Sequence, residues 1–268
     1  MVTPIAYRQS HSTRLAYLRE GPLRPDRCGL FWLNGFKSVM TGEKASTLAQ
    51  WAVAQERNLV RFDYSGHGAS GGVFTEGTIS TWLDEAVLMF REEAPGPRVV
   101  LGSSMGGWLA LLLARRLKAE FLNEARRVHG LVLIAPAIDM TAALITQAMS
   151  EQEREQLMSE GVVHRTSIYG DGPYPITRKL IEDGDYHRLM NAPYHASVPV
   201  RIIHGEQDPD VPWLHGLEAY RMIEGEDVAF TLVKGGDHRL SDARSLNLLV
   251  ETSAALCERA DRIIQPQK

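Results

Sequence analysis

The residues with the clearest chemical potential form the stretch GSSMG at residues 102–106, which matches the pattern G-x-S-x-G. The apolar run Val99–Leu101 precedes this stretch, and the helical spacing of Met105–Lys118 begins inside it. A serine on such a strand-to-helix turn projects above the sheet, beside free N–H groups at the helix start. Side chains at positions 102 and 106 would clash with the tight turn, which accounts for the glycines. We therefore predict Ser104 as a nucleophile.

A serine hydroxyl attacks a carbonyl only when a base takes its proton, and a histidine base needs a carboxylate that orients it. Candidates for both roles follow apolar runs later in the chain. Asp208 lies after Val200–Ile203, and His238 lies after Ala229–Val233. The order serine, acid, histidine accompanies a serine on this kind of turn. We predict Asp208 as the orienting acid and His238 as the base.

Other residues compete for these roles. Ser103 is one residue out of register, and Ser104 itself could be no more than a helix cap. The eight other histidines are interpreted as structural. Each rival of Asp208 could instead stabilise a turn or a helix start, and these rivals are Asp210, Glu206, Asp237 and Asp139.

The tetrahedral intermediate of acyl transfer requires two backbone N–H donors around its oxyanion. Met105 supplies one by position, because it follows the serine directly. The second is expected in the loop after the run Gly29–Leu33, where Gly35 lets the backbone approach closely. We predict the Phe36 N–H as that donor. The alternative is an ordinary strand-to-helix turn.

Six short apolar runs, flanked by Gly, Pro or Asp, predict buried strands that position these residues. The stretches between them have helical spacing, which predicts an α/β architecture with a mostly parallel sheet and helices on both faces. The predicted strands are Gly29–Leu33, Leu59–Phe62, Val99–Leu101, Leu131–Ile134, Val200–Ile203 and Ala229–Val233, and the predicted helices are Ala45–Ala54, Trp82–Phe90 and Met105–Lys118.

The sequence pattern changes between residues 136 and 197, where mixed, methionine-bearing helical sequence replaces the strand signals. We predict a small helical cap here, inserted into a core formed by residues 1–135 and 198–268. Four methionines in the insertion either line an adaptable acyl pocket or pack the cap against the core, and these are Met140, Met149, Met158 and Met190.

Length and composition exclude several classes of protein. The chain has 268 residues and is 44% hydrophobic, which excludes a disordered linker and favours one large domain. A net charge of −4 without a basic block argues against a nucleic-acid partner. Cys28 and Cys257 are too few for a disulfide scaffold, and no run approaches the roughly 18 apolar residues of a membrane span. We expect a soluble, cytoplasmic protein.

Taken together, residues 14–261 resemble the α/β-hydrolase superfamily. The sequence DYSGHGAS at residues 63–70 is similar to the loop after the fourth strand of that fold, and HGEQDPDVP at residues 204–212 is similar to its acid loop. Within the superfamily, residues 35–45, 102–108 and 174–182 resemble a mitochondrial subgroup of acyl-glucuronide esterases and protein-depalmitoylating thioesterases.

The residues and the resemblance imply a serine hydrolase that cleaves carboxylic acyl esters or thioesters through an acyl-enzyme. Its substrate would be a small molecule or an acylated protein. A carbon–carbon bond hydrolase or a perhydrolase would use the same three residues, and a non-catalytic binding module is the alternative from another class. No metal or cofactor is predicted, because the histidines lack H-E-x-x-H spacing and the glycines at residues 66–72 form no dinucleotide fingerprint.

Overall fold

A computed structural model describes residues 3–11, 13–166 and 172–265. Within these residues there are twelve strands, which are β1 (Ala6–Ser10), β2 (Thr13–Glu20), β3 (Gly29–Leu33), β4 (Leu59–Phe62), β5 (Arg98–Ser103), β6 (Val128–Ile134), β7 (Val162–Thr166), β8 (Pro173–Thr177), β9 (Tyr194–His195), β10 (Val200–Gly205), β11 (Ile223–Glu224) and β12 (Val228–Val233). Eight of them form the main sheet, in the spatial order β1-β2-β4-β3-β5-β6-β10-β12.

The main sheet is parallel from β4 to β12, whereas β2 pairs in antiparallel fashion with both β1 and β4. The described residues also form eight α-helices, which are α1 (Glu43–Ala54), α2 (Ile79–Glu93), α3 (Met105–Glu120), α4 (Leu122–Ala125), α5 (Glu151–Glu160), α6 (Arg178–Gly184), α7 (Trp213–Met222) and α8 (Ala243–Ile264).

Successive side chains of the central strands point to opposite faces of the sheet, so each strand contributes to two cores. In β3, Phe31 and Leu33 pack into the core beneath α2 and α3, whereas Leu30 and Trp32 pack into the core beneath α1 and α8. All four side chains are buried. The predicted α/β architecture with helices on both faces is confirmed.

The six predicted strands all lie in the main sheet, and β3 and β4 have the predicted bounds. The hairpin of β1 and β2 was not predicted. Its register runs from Ala6 opposite Tyr17 to Ser10 opposite Thr13. Strand β1 lies at the edge of the sheet, and four of its five residues are partly or fully exposed. Its sequence therefore lacks the apolar run that marks the central strands.

The segment from residue 136 to residue 197 is not purely helical. It contains a π-helical stretch (Met140–Thr146), α5, α6 and a 3-10 turn (Asp185–His187), but also the antiparallel pair β7 and β8. Val163 and Ile176 of this pair are buried together with Met149 and Leu157 in a small separate cluster. Val, Ile, Tyr and Thr, which favour strands, make up more than half of VVHRT and PYPIT. The division into core and cap at these boundaries stays a prediction.

Among the helices of the described residues, none combines the length and the apolarity that a membrane span requires.

Candidate active site

Ser104 lies on the turn between β5 and α3, in a strained backbone conformation with φ of 55° and ψ of −120°. Its N–H donates to the carbonyl of Ile134, at 2.8 Å, which ties the turn to β6. A Cβ atom at Gly102 would lie 2.0 Å from the carbonyl oxygen of Gly106, and one at Gly106 would lie 2.2 Å from the carbonyl oxygen of Leu33. Both positions therefore require glycine.

The structure brings the three side chains that the sequence analysis selected into one hydrogen-bonded chain. The Nε2 atom of His238 lies 3.1 Å from Ser104 Oγ, and its Nδ1 atom lies 2.7 Å from Asp208 Oδ2. Because an ionised carboxylate only accepts hydrogen bonds, Nδ1 carries the proton and Nε2 is left to accept the proton of the serine. Each residue follows the C-terminal end of a parallel strand, where open α/β sheets bind ligands.

Asp208 is held as a carboxylate by its surroundings. Burial alone would raise its pKa, but hydrogen bonds from His204 and His238 and from the Val211 N–H outweigh that effect. The pKa therefore lies well below its usual range. The other carboxylate oxygen, Oδ1, accepts the N–H groups of Asp210 and Val211 at 2.9 and 2.8 Å. These backbone bonds orient the carboxylate toward His238.

The rivals of Asp208 have other surroundings. Asp139 accepts the N–H groups of Leu189 and Met190 at 2.8 and 2.9 Å, and so joins the two ends of the inserted segment. Asp237 accepts the Leu240 N–H, at 2.9 Å, within its own turn. Asp210 is exposed at the pocket wall, and Glu206 forms an ion pair with a lysine.

The two predicted oxyanion donors lie close to Ser104, because Met105 follows it in the chain and Phe36 borders the same pocket. Met105 is the first residue of α3 and Phe36 lies in the loop after β3. A Cβ atom at Gly35 would lie 3.3 Å from Ser104 Cβ, so this loop passes directly beside the serine. Within the described part of the chain, the N–H groups of Phe36 and Met105 take part in no hydrogen bond. Both are available to a developing oxyanion.

A pocket of about 450 Å³ opens at Ser104 and His238. The inserted segment forms much of its apolar wall through Met140, Leu144 and Ile145. Of the four methionines, only Met140 lines this pocket among the described residues. Met149 lies in the small cluster with Val163 and Ile176, Met158 is exposed on the surface, and Met190 packs against the main core.

Part of the pocket wall, which we call the cationic wall, carries basic residues. Lys37, Lys44, Arg165 and Arg239 border the cavity, and Asp210 borders it as well. Lys44 donates to the carbonyl of Arg239. Burial lowers the pKa of Lys44 to about 8, although the nearby charge of Asp237 opposes the shift.

One group of potential metal ligands occurs in residues 3–11, 13–166 and 172–265. It consists of Asp208, Asp210 and His238, whose ligand atoms lie within 4.8 Å of one another. A metal ion here would compete for the Asp208 oxygen that His238 already contacts at 2.7 Å. The same Asp208 oxygen can therefore either bind a metal ion or orient His238.

His204, which the sequence predicts to be structural, contacts Asp208 and the loop that carries it. Its Nε2–H donates to the Val211 carbonyl at 2.9 Å and lies 3.4 Å from Asp208 Oδ2. The side chain is fully buried. Its position four residues before Asp208 was the available signal.

An eight-stranded, mostly parallel sheet with a serine on the turn between a strand and a helix is typical of α/β-fold hydrolases. Residues 29–247 match the Alpha/beta hydrolase family, and the chain belongs to that family. The predicted resemblance is confirmed, and the chain is a hydrolase of carboxylic esters or thioesters.

Named relatives and solved structures cover nearly the whole chain. It is 31% identical to the Bos taurus protein "Palmitoyl-protein thioesterase ABHD10, mitochondrial", over 93% of this chain and 78% of that protein. The structure of Alpha/beta hydrolase domain-containing protein 10 from mouse has a TM-score of 0.84 and 30% identity, covering 96% and 99% of the two chains. The crystal structure of "Putative hydrolase from Agrobacterium vitis S4" has a TM-score of 0.90 and 40% identity, and the match covers 95% of this chain and 99% of that chain.

Proposed function

We propose that Ser104, His238 and Asp208 act as a catalytic triad that hydrolyses acyl esters and thioesters through an acyl-enzyme. The observation that carries the proposal is the continuous hydrogen-bonded chain, 3.1 Å from serine to histidine and 2.7 Å from histidine to carboxylate. The strained backbone of Ser104 supports it, because strain of this kind is retained where function requires it.

In the acylation half of the reaction, Ser104 Oγ attacks the carbonyl carbon while its proton passes to His238 Nε2. The carbonyl oxygen becomes an oxyanion, which the N–H groups of Phe36 and Met105 stabilise. The tetrahedral intermediate then collapses, the bond to the leaving oxygen or sulfur breaks, and His238 returns the proton to that atom. Ser104 is left as an acyl ester.

In deacylation a water molecule replaces the leaving group and follows the same route. His238 Nε2 takes one proton from the water, the resulting hydroxide adds to the acyl carbon, and the bond to Ser104 Oγ breaks. The serine oxygen recovers its proton from His238. Asp208 holds the Nδ1–H throughout and stabilises the imidazolium that forms in each half.

The proposed substrates are thioesters or esters of a long acyl chain, with S-palmitoylated proteins as the leading class. Two observations support this choice. Relatives about 30% identical to the chain are named palmitoyl-protein thioesterases, and the inserted segment lines the pocket with Met140, Leu144 and Ile145. In this proposal residues 136–197 act as a cap that holds the acyl chain.

The cationic wall favours a second candidate, the hydrolysis of acyl glucuronides, which the sequence resemblance also implies. The carboxylate of the glucuronic acid would lie near Lys37 and Lys44, which border the pocket. The two candidates share one mechanism and differ in the leaving group. A comparison of an acyl glucuronide with the glucose ester of the same acid separates them. Charge recognition predicts a lower KM for the glucuronide and loss of that advantage in Lys37→Met.

The decisive experiment is labelling with a fluorophosphonate, which reacts only with an activated serine. We expect the wild-type protein to be labelled at Ser104, whereas Ser104→Ala is not labelled. Ser103→Ala is the matched control, because Ser103 is adjacent and also borders the pocket. Absence of labelling in the folded wild-type protein would favour a binding module.

A substrate panel then defines the reaction. Long-chain acyl-cysteine thioesters and p-nitrophenyl esters should be hydrolysed, and a chelator should leave the rate unchanged because no step requires a metal. If the protein instead cleaved a carbon–carbon bond or turned over peroxide, it would be a carbon–carbon bond hydrolase or a perhydrolase that uses the same triad. Location in the cytoplasm stays a prediction, and the relatives are named mitochondrial.

A further inference from the structure

The loop that presents the Phe36 N–H does not have a relaxed backbone. Lys37, the next residue, has φ of 59°, a left-handed conformation that is uncommon for a residue with a side chain. Such a conformation persists only where the surroundings hold it. The contacts that hold this loop therefore also determine where the Phe36 N–H points.

His67 provides one of these contacts from the loop after β4. The N–H of Lys37 donates to His67 Nε2 at 3.2 Å, and His67 Nδ1 lies 3.1 Å from the carbonyl of Ser65. A carbonyl can only accept, so Nδ1 carries the proton and Nε2 offers its lone pair to Lys37. Both ring nitrogens are thus occupied in one tautomer of the neutral imidazole.

The ring of His67 is fixed by its neighbours. It is buried and contacts the rings of Tyr64, Phe74 and Trp82, with centroid separations of 5.7, 5.1 and 5.2 Å. The side chain of Phe36 contacts two of the same rings, Phe74 at 5.0 Å and Trp82 at 5.9 Å. One aromatic cluster therefore holds both His67 and Phe36.

The burial that fixes the ring also keeps His67 neutral. It lowers the pKa of His67, and the opposing effects of the Ser65 carbonyl and of the Asp63 charge are smaller. A neutral ring is the form that can accept the Lys37 N–H, since a protonated ring would present a donor to a donor.

We propose that His67 is a positioning residue for the oxyanion hole, acting through the N–H of Lys37. The peptide groups that contain the Phe36 and Lys37 N–H groups are rigid planes joined at the Phe36 Cα atom. Holding the Lys37 N–H therefore restricts the rotation that aims the Phe36 N–H. The inference rests on the proposed function, because it assigns His67 a role in the same site without contact with the substrate.

Two substitutions of His67 separate its two hydrogen bonds. In His67→Gln the amide oxygen reaches about as far as Nε2 and can accept the Lys37 N–H. In His67→Asn the amide reaches only as far as Nδ1, so the bond to Ser65 can form and the bond to Lys37 is lost. Loss of a whole oxyanion donor costs about 10²–10³-fold in kcat, so we expect a misaimed donor to cost at least about tenfold.

The measurements are kcat and KM for a p-nitrophenyl ester, with thermal unfolding as the control for folding. We expect His67→Asn to lose at least about tenfold in kcat with KM within threefold, and His67→Gln to retain most of the wild-type kcat. A trifluoromethyl ketone, which mimics the oxyanion, should bind less tightly to His67→Asn. An unreactive alkyl ether of the same length should bind equally to both variants.

Three outcomes would overturn the proposal. These are a His67→Asn kcat within threefold of wild type, equal losses in the Asn and Gln variants, and parallel weakening of ketone and ether binding. The last two would indicate a general packing role. Ser104→Ala is assayed alongside, because activity in that variant would refute the triad itself, whereas the His67 results by themselves refute only the positioning role.

Discussion

The turn at residues 102–107 has no room for another side-chain atom, whereas the inserted segment retains open space around residues 158–161. In the turn, a Cβ atom at Gly106 would lie 2.2 Å from a backbone oxygen. In the insertion, a Cβ atom at Gly161 would have no heavy atom within 4 Å, and Met158 is 66% exposed. The backbone around Ser104 is therefore constrained from several sides, whereas residues 158–161 of the insertion are not.

The two regions are nevertheless attached to each other. Trp108 of α3 lies four residues after Ser104, and its Nε1–H donates to the carbonyl of His187 at 3.2 Å. His187 also contacts Ser80 Oγ at 2.7 Å, and the Ser80 N–H donates to Asp183 at 2.8 Å. The insertion is thus anchored near α2 and α3. Substitutions in its interior can alter the pocket while the turn stays intact, which the following predictions exploit.

The largest expected effect comes from the turn itself. Ser104→Ala and His238→Ala should each lower kcat by several orders of magnitude, with little further loss when combined, because triad members act as a unit. Ester hydrolysis measured at high enzyme concentration gives the residual rate. Ser103→Ala should remain close to wild type. Full activity in a purified, folded Ser104→Ala protein would refute the mechanism.

Asp208→Asn should follow, with a loss of about 10⁴-fold in kcat, the size seen in a serine protease when an amide replaces this carboxylate. The amide favours the wrong tautomer of His238 and removes the charge that stabilises the imidazolium. Asp210→Asn is the matched control in the same loop and should stay within tenfold of wild type. The reverse ranking in steady-state kinetics would assign the orienting role to Asp210.

The same carboxylate gives a dependence of stability on pH. Since folding holds the pKa of Asp208 below that of the unfolded chain, the charged group stabilises the folded state above the ordinary carboxyl range. That contribution disappears as the pH falls from about 4 toward the folded-state value. The difference in melting temperature between wild type and Asp208→Asn should therefore shrink in acid. A difference that grows in acid would contradict the assigned direction.

Gly106→Ala tests the tight turn against Gly161→Ala in the open insertion. We expect Gly106→Ala to lower the free energy of unfolding by about 3 kcal/mol, because backbone atoms of β3 and α3 must separate. Gly161 has φ of 78° but no crowding, so its replacement should cost about 1 kcal/mol. Urea unfolding measures both. Equal costs would remove the contrast between the two regions.

The smallest expected effect concerns the acyl-binding wall. Each buried CH₂ contributes about 0.8 kcal/mol at most, so six added groups at half that value predict a gain above about tenfold in kcat/KM from acetyl to octanoyl esters. Leu144→Trp should reduce the octanoyl rate and leave the acetyl rate nearly unchanged, because Leu144 borders the pocket. A flat or falling chain-length series in wild type would reject long-acyl substrates.

Strands and the serine turn could be predicted because their signals are local. Residues 29–33 and 59–62 are short, predominantly apolar runs whose residues are all buried, and the structure gives β3 and β4 the same bounds. The turn was recognisable because strand, glycines and helix lie within about twenty residues. The β7–β8 pair was missed because VVHRT and PYPIT contain polar residues or prolines in place of an apolar run, and the burial of Val163 and Ile176 depends on their packing with Met149 and Leu157.

From its amino-acid order alone, the chain specifies a strand, a serine between two glycines, a helix, and a later acid and histidine after two further strands. It does not specify which carboxylate contacts His238, since Asp208 and Asp210 are two residues apart on one loop. That choice depends on backbone N–H groups that rotate Asp208 inward and on a histidine 30 residues away. Likewise Met140 reaches the pocket and Met158 faces solvent, because helical spacing defines faces but not what each face packs against.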